Sequence, residues 1–448
     1  MSNEIAVCRA GVKRTRITPD IPCEMAGYFH SRIAEKVAHD LYATALALEH
    51  KGKYTVIVSC DLINMTDEIC MGAFKQAGKK YGIPLSNFMA CATHTHTGPE
   101  IRHNSTVSSC DENYLRKLQT LITDTVMGAL DNMFEAVLCS GLTHTPGLAH
   151  NRLSRCADGT EIFGKQKEGG SKVIGPAGPE DSTIQTLGIY DTERKLRAVA
   201  VNFACHPDLS GGGRASAIDA DWPGEMAEYL MQVHGPEVVC MMLQGTAGDI
   251  NHAEHRAKTP RWLPGGCSTV ARGVAGGTLY AMETATPLSN VTISCRKHVL
   301  EVPYYVRDNN LDRLIKELKQ KGENTTYFEK NIIQRVEQWQ NDGKTDRFNI
   351  SCMRIGDIAI VAMPGEIFTG WGLEIKRYSP ARQTFIVELA SSPDGLTGYR
   401  PTSDQALRAA RNKGAYGALP VLSLKHCPAS GQMMTDAVIS MLHELWPE

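Results

Sequence analysis

Short apolar runs rich in β-branched residues recur along this chain, with helical patterns between them. "YTVIVSCDL" (54–62), "NFMACATHT" (87–95), "LRAVAVNFAC" (196–205), "EVVCMMLQG" (237–245), "VTISCRKHVLEV" (291–302) and "IGDIAIVAMPG" (355–365) are each bounded by Gly, Pro, Asn or Asp, as strands are. Between them "TDEICMGAFKQAGKKYG" (66–82), "ENYLRKLQTLITDTVMGALD" (112–131) and "DWPGEMAEYLMQVHG" (221–235) carry helical periodicity. Strands alternating with helices predict an α/β or mixed α+β fold, with central mixed sheets flanked by helices. No linker interrupts the pattern, so residues 1–448 are expected to form a single large domain. Residues 310–342 read as two amphipathic helices joined by Gly-Glu-Asn, a hairpin inserted between two strands with a solvated surface. Residues 150–184 read as a polar, Gly-rich surface loop.

The charge balance narrows the function classes. A formal net charge of −2, with Lys and Arg scattered, gives no electrostatic case for nucleic acid or an anionic membrane. No window approaches the roughly 18 to 20 apolar residues that span a bilayer. The N-terminal segment lacks the apolar core of an export signal, so a cytoplasmic location is expected. The 14 cysteines then read as reduced, mostly buried thiols. Cys91 and Cys205 fall near candidate metal ligands, which keeps zinc–thiolate ligation open.

Three of the apolar runs end in a group able to bind zinc. In "THTHTGP" (93–99), His94 and His96 stand two apart, and in an extended strand they would share a face. They could be two ligands, a ligand and a catalyst, or a packed pair. In "VNFACHPDLSGGG" (201–213) the run ends at His206 before Pro207 and the glycines. Asp219 and Asp221 follow, with Asp221 placed to cap the next helix. In "IVAMPGEIFTGWG" (360–372), Glu366 follows Pro364-Gly365 in what reads as the first turn of a helix, where a carboxylate also gains from the helix N-terminus. Two His and one Glu make a catalytic zinc set with a position open for water. Tyr399 in the turn-rich "SSPDGLTGYRPTSDQ" (391–405) reads as a packing residue, and Tyr416 in "NKGAYGALP" is flanked by small residues that let a ligand approach.

Taken in order, the segments resemble the catalytic domain of the neutral/alkaline, non-lysosomal ceramidase family. The resemblance rests on "RITPDIPCEMAGY" (16–28), "HDLYATALAL" (39–48), "VSCDL" (58–62), "THTHTGP" (93–99), "HNRLSR" (150–155), "NFACHP", "GTAGDIN" (245–251), "PGE" (364–366) and "GYRPT" (398–402). It implies one zinc ion held by His94, His206, Glu366 and Tyr399, with His96, Arg152 and Tyr416 around the reacting amide. The Tyr399 to Tyr416 spacing is longer than in the family's ceramidases. On this reading His94 is a ligand and His96 moves protons. A zinc ion so held would acidify a water for attack on a carbonyl.

The resemblance also implies departures. The family's ceramidases are usually exported and often carry an added C-terminal β-sandwich. This chain instead finishes in a helical segment, "MMTDAVISMLHELWPE", and Glu100 adds a charge beside the histidines. The expected substrate is therefore a small polar amide rather than ceramide. The rival readings are a ceramidase acting on N-acylsphingosine, an esterase or peptidase on the same zinc site, and a metal- or ligand-binding protein without catalysis. No GxSxG nucleophile elbow is present to support a serine mechanism.

Overall fold

The computed structural model describes residues 6–164, 166, 168–253, 266–393, 395, 397–411 and 413–447. Its largest element is a nine-stranded mixed sheet. In spatial order the main path runs Val239–Gln244, Leu196–Phe203, Thr183–Asp191, Phe134–His144, Val7–Arg16, Tyr42–His50, Lys53–Cys60 and Phe88–Ala92. Only the outermost pair at each end is parallel, and the interior pairs are antiparallel. A second sheet contains Ile293–Pro303, Thr345–Ile355, Ile358–Ala362 and Gln383–Val387, with the last pair parallel.

Period-two alternation decides how the layers stack. In Lys53–Cys60, Val56, Val58 and Cys60 face the helices α1 (Asp67–Tyr81) and α2 (Glu112–Asp131), while Ile57 faces the second sheet. Leu196–Phe203 repeats the pattern. Val199, Val201 and Phe203 pack under α3 (Asp221–His234) and α4 (Cys267–Glu283), and Ala198 and Ala200 meet the second sheet. The second sheet does the same in reverse, with Ile358 and Ile360 turned inward. Ala359 and Val361 pack outward with α7 (Thr369–Tyr378) and the helix Ser430–Leu445. The result is one large domain of four layers, helices–sheet–sheet–helices, with both faces of Lys53–Cys60, Leu196–Phe203 and Ile358–Ala362 buried. That double burial explains why these three segments read as continuous apolar runs.

Close packing of the helical layer depends on a missing side chain. A Cβ at Gly11 would stand 1.8 Å from the Ala129 carbonyl oxygen of α2. The first strand and α2 can approach as they do only because position 11 is glycine.

Between Ile293–Pro303 and Thr345–Ile355 lie α5 (Asn309–Gln320) and α6 (Tyr327–Glu337), joined by a 3₁₀ turn at Gly322–Asn324. Leu311, Ile315, Leu318, Ile332 and Val336 bury against Tyr305, Ala406, Val421, Leu422 and Leu424. Residues 150–184 differ from the surface loop expected of them. They contain Leu153–Cys156, Glu161–Phe163 and Val173–Pro176, paired as a small antiparallel sheet. Leu153, Ser154 and Cys156 are buried there, so a polar composition conceals short strands too brief to show periodicity. Among the described residues no helix is long and apolar enough to cross a membrane.

Candidate metal centre and active site

The central sheet curls on itself. Ser59, next to one edge, donates its hydroxyl to the Met242 carbonyl in the opposite edge strand, at 2.5 Å. This curl brings the carboxyl ends of four strands to one place, the edge where α/β proteins collect ligands. Segments leaving Phe88–Ala92 and Leu196–Phe203 supply His94 and His206. Segments leaving Lys53–Cys60 and Val239–Gln244 supply the carbonyls of Ile63 and Ala247.

Those carbonyls fix the imidazoles. His94 Nδ1 donates to Ile63 O at 2.6 Å and His206 Nδ1 donates to Ala247 O at 3.1 Å. With the protons on Nδ1, both Nε2 lone pairs point inward, 3.1 Å apart. His96 Nε2 stands 3.3 Å from His94 Nε2. Glu366 Oε2 lies 3.4 Å from His94 Nε2 and 3.7 Å from His206 Nε2, buried and without a hydrogen-bond donor. Electron pairs converging in a buried space repel unless a cation lies among them, and backbone carbonyls holding the far side of each ring are how metal-binding histidines are oriented. The donor set therefore fits a zinc ion. Burial, with Arg152 and the neighbouring imidazoles adding to it, holds His206 well below the usual histidine range and keeps it neutral. Burial alone would push the Glu366 carboxyl up. The His94 ring, the Tyr399 hydroxyl and Arg152 outweigh it and hold Glu366 low, as a carboxylate.

A second tier surrounds this point. Glu366–Ile367 is a two-residue strand paired in parallel with Tyr399–Arg400, so Glu366 and Tyr399 stand opposite each other. Arg152 Nη2 donates to Tyr399 Oη at 3.2 Å and to the Gly248 carbonyl at 2.7 Å. Tyr399 donates its hydroxyl towards Tyr416 Oη at 3.4 Å. His94, His96, His206, Glu366, Tyr399, Arg152 and Tyr416 thus form one connected group assembled from six separated segments of the sequence.

Local details differ from the expectations. The strand carrying the histidines ends at Ala92, so His94 and His96 do not share a face through strand periodicity. Instead His94 takes a left-handed backbone (φ 74°), held by its N–H to the Leu62 carbonyl at 2.9 Å, and the two rings meet edge to face at 87°. Glu366 is not in a helical first turn, because α7 begins only at Thr369. Asp221 does not cap α3 from outside. It is the helix's first residue, and its carboxylate accepts from the N–H groups of Leu209, Ser210 and Trp222. It thereby anchors the loop that follows His206. The thiols of Cys91 and Cys205 point to the carbonyls of Val58 and His206, and burial pushes Cys91 up to about 12.

Several neighbours were not singled out from the residues. Tyr28 meets the His96 ring edge-on at 5.5 Å and donates to Asp208, two positions after His206. Gly27 lies so close that a Cβ there would stand 2.9 Å from His96 Nδ1, with φ +102° besides. Arg32 Nη2 donates to the His96 carbonyl at 2.7 Å. Glu388, at the end of Gln383–Val387, accepts from Ile367 N–H at 2.7 Å, and burial with Glu366 nearby pushes its carboxyl well up. Phe29 and Phe163 both meet Tyr416 edge-on, at 6.1 and 6.0 Å. The only sequence signal for this tier was "MAGY", within the first segment of the family resemblance.

Two solved structures share this architecture. Neutral ceramidase from Pseudomonas aeruginosa superposes with a TM-score of 0.73 at 15% identity, covering 99% of this chain and 75% of that one. A ceramidase complexed with C2 gives 0.74 at 14% identity, covering 99% of this chain and 76% of that one. No protein-family model and no curated protein matches the sequence. At these identities the likeness establishes a common fold, that of the neutral ceramidases.

Proposed function

We propose that this chain is a zinc-dependent hydrolase cleaving the amide bond of a small, polar N-acyl compound. The observation that carries the reading is the convergence of His94 Nε2, His206 Nε2 and the undonated Glu366 Oε2 at the carboxyl ends of the strands. When bound, zinc supplies a Lewis acid that polarises a carbonyl and makes water a nucleophile near neutral pH. His94, His206 and Glu366 would hold it, and the resemblance to ceramidases adds Tyr399.

The remaining residues have separable tasks. His96 is only partly buried, and burial beside His94 keeps its imidazole neutral and able to accept a proton. It takes the proton of the attacking water at Nε2 and returns one to the leaving amine. Amines leave poorly unless protonated, so this shuttle matters more for an amide than for an ester. Burial opposes the Arg152 charge, but Tyr399, Tyr416 and Glu366 together hold the guanidinium above its ordinary range. It is therefore a permanent cation, and with the Tyr416 hydroxyl it can donate to the oxygen that gains charge as the carbonyl is attacked. A polar substrate is supported by the groups beside His96, where Asp208, Tyr28 and Arg32 stand.

The test is hydrolysis of matched N-acyl amides and esters, with N-acylsphingosine alongside, before and after chelation and zinc return. The expected result is amide cleavage that chelation abolishes and zinc restores, faster on the short amides than on N-acylsphingosine. Cleavage of esters alone, or undiminished activity after full chelation, would overturn the reading.

A further inference from the structure

The helical hairpin reaches towards the candidate site through Arg335. Arg335, in α6, holds its guanidinium carbon 5.9 Å from the centre of the Phe29 ring. Phe29 in turn meets Tyr416 edge-on at 6.1 Å, and Arg152 lies 5.5 Å from the same tyrosine ring on its way to Tyr399. Phe163, 46% exposed, completes the rim 6.0 Å from Tyr416. The hairpin therefore presents an arginine at the mouth of the site, past an aromatic collar.

Arg335 is half-buried and forms no ion pair among the described residues. The hairpin's pairs, Lys319 with Glu337 and Lys321 with Glu329, leave it aside. The cation that bears on it, Arg102, is already clamped by both Glu100 oxygens at 2.7 and 2.6 Å. Burial and Arg102 both work against the Arg335 charge, opposed only by Tyr416. A half-buried guanidinium with a ring but no counter-charge beside it is partly stripped of water, a cost that an incoming anion relieves. One free planar fork matches one carboxylate, in paired hydrogen bonds that a lysine cannot reproduce.

We infer that Arg335 is a specificity-determining residue that recognises a carboxylate on the substrate, beyond the aromatic collar of Phe29, Phe163 and Tyr416. The inference deepens the proposed function and rests on it. The substrate class becomes an N-acyl compound with a free carboxylate remote from the scissile amide.

The experiment uses the zinc-loaded full chain and hydroxamates, which anchor to zinc without being cleaved. Each carries an arm ending in a carboxylate or in the isosteric carboxamide, over a graded series of arm lengths. The expected result is an optimal length at which the carboxylate binds about tenfold or more tighter than the carboxamide. That ratio should collapse towards unity in Arg335→Gln and be partly kept in Arg335→Lys, with zinc content unchanged in both. A ratio near unity at every arm length in the wild type, or a ratio kept in Arg335→Gln, overturns the inference. Failure of the wild type to bind any hydroxamate while loaded with zinc contradicts the metal-site reading, and the inference falls with it.

Discussion

His94 sits in a backbone region that non-glycine residues rarely occupy, which costs about 1 kcal/mol or more unless the surroundings impose it. Its N–H to Leu62 and its Nδ1 to Ile63 do impose it, and they aim Nε2 at His206. Spacing in the sequence singled out the two histidines as a pair sharing a strand face, an arrangement the chain does not adopt. The strand stops before them, and a tight turn brings their rings together instead. Asp208 and Glu388 were illegible for another reason. Each matters only through partners far away in the chain, which no local pattern encodes. The division of labour between the histidines has a direct check. His96→Ala should lower amide turnover by about 10²- to 10⁴-fold while retaining zinc, measured as steady-state rates beside metal content. Arg152→Gln should cost roughly 10²-fold in kcat if it donates to the developing oxyanion. An effect confined to KM would instead assign Arg152 to substrate binding alone.

Elements were legible where periodicity had room to speak. The pattern at 112–131 coincides with α2, and the long apolar runs are strands to within a few residues. Two-residue strands such as Glu366–Ile367 carry no periodicity, so Glu366 read as helical when it pairs with Tyr399. Gly11 is an element-scale constraint. Gly11→Ala should destabilise the fold by about 1–3 kcal/mol, because α2 must move off the sheet, and a lowered denaturation midpoint would register it. The small sheet offers a pH-dependent contribution. Burial pushes the Glu161 carboxyl up to about 7, although Arg155 and Arg408 each approach to 3.6 Å. A raised carboxyl contributes most below its unfolded pKa, and its contribution is lost as pH rises through about 7. Glu161→Gln should therefore gain stability relative to wild type at pH 8 compared with pH 5, as read from melting temperatures. An identical difference at both pH values would contradict the assignment.

At the scale of the whole molecule, alternating strands and helices gave the class of fold correctly, and the ordered motifs gave its likeness to the neutral ceramidases. The curl of the central sheet was beyond reach. It depends on how eight strands are ordered and twisted, and it alone carries His94 and His206 from distant positions in the sheet to 3.1 Å. On the proposed function, this convergence holds one zinc ion. Metal analysis of the zinc-reconstituted, dialysed full chain tests it most directly, with wild type, His94→Ala and His206→Ala side by side. The expected result is one zinc per wild-type chain and almost none in either variant, with all three folded by circular dichroism. Stoichiometric zinc in both variants, or a wild type that retains none, would contradict it.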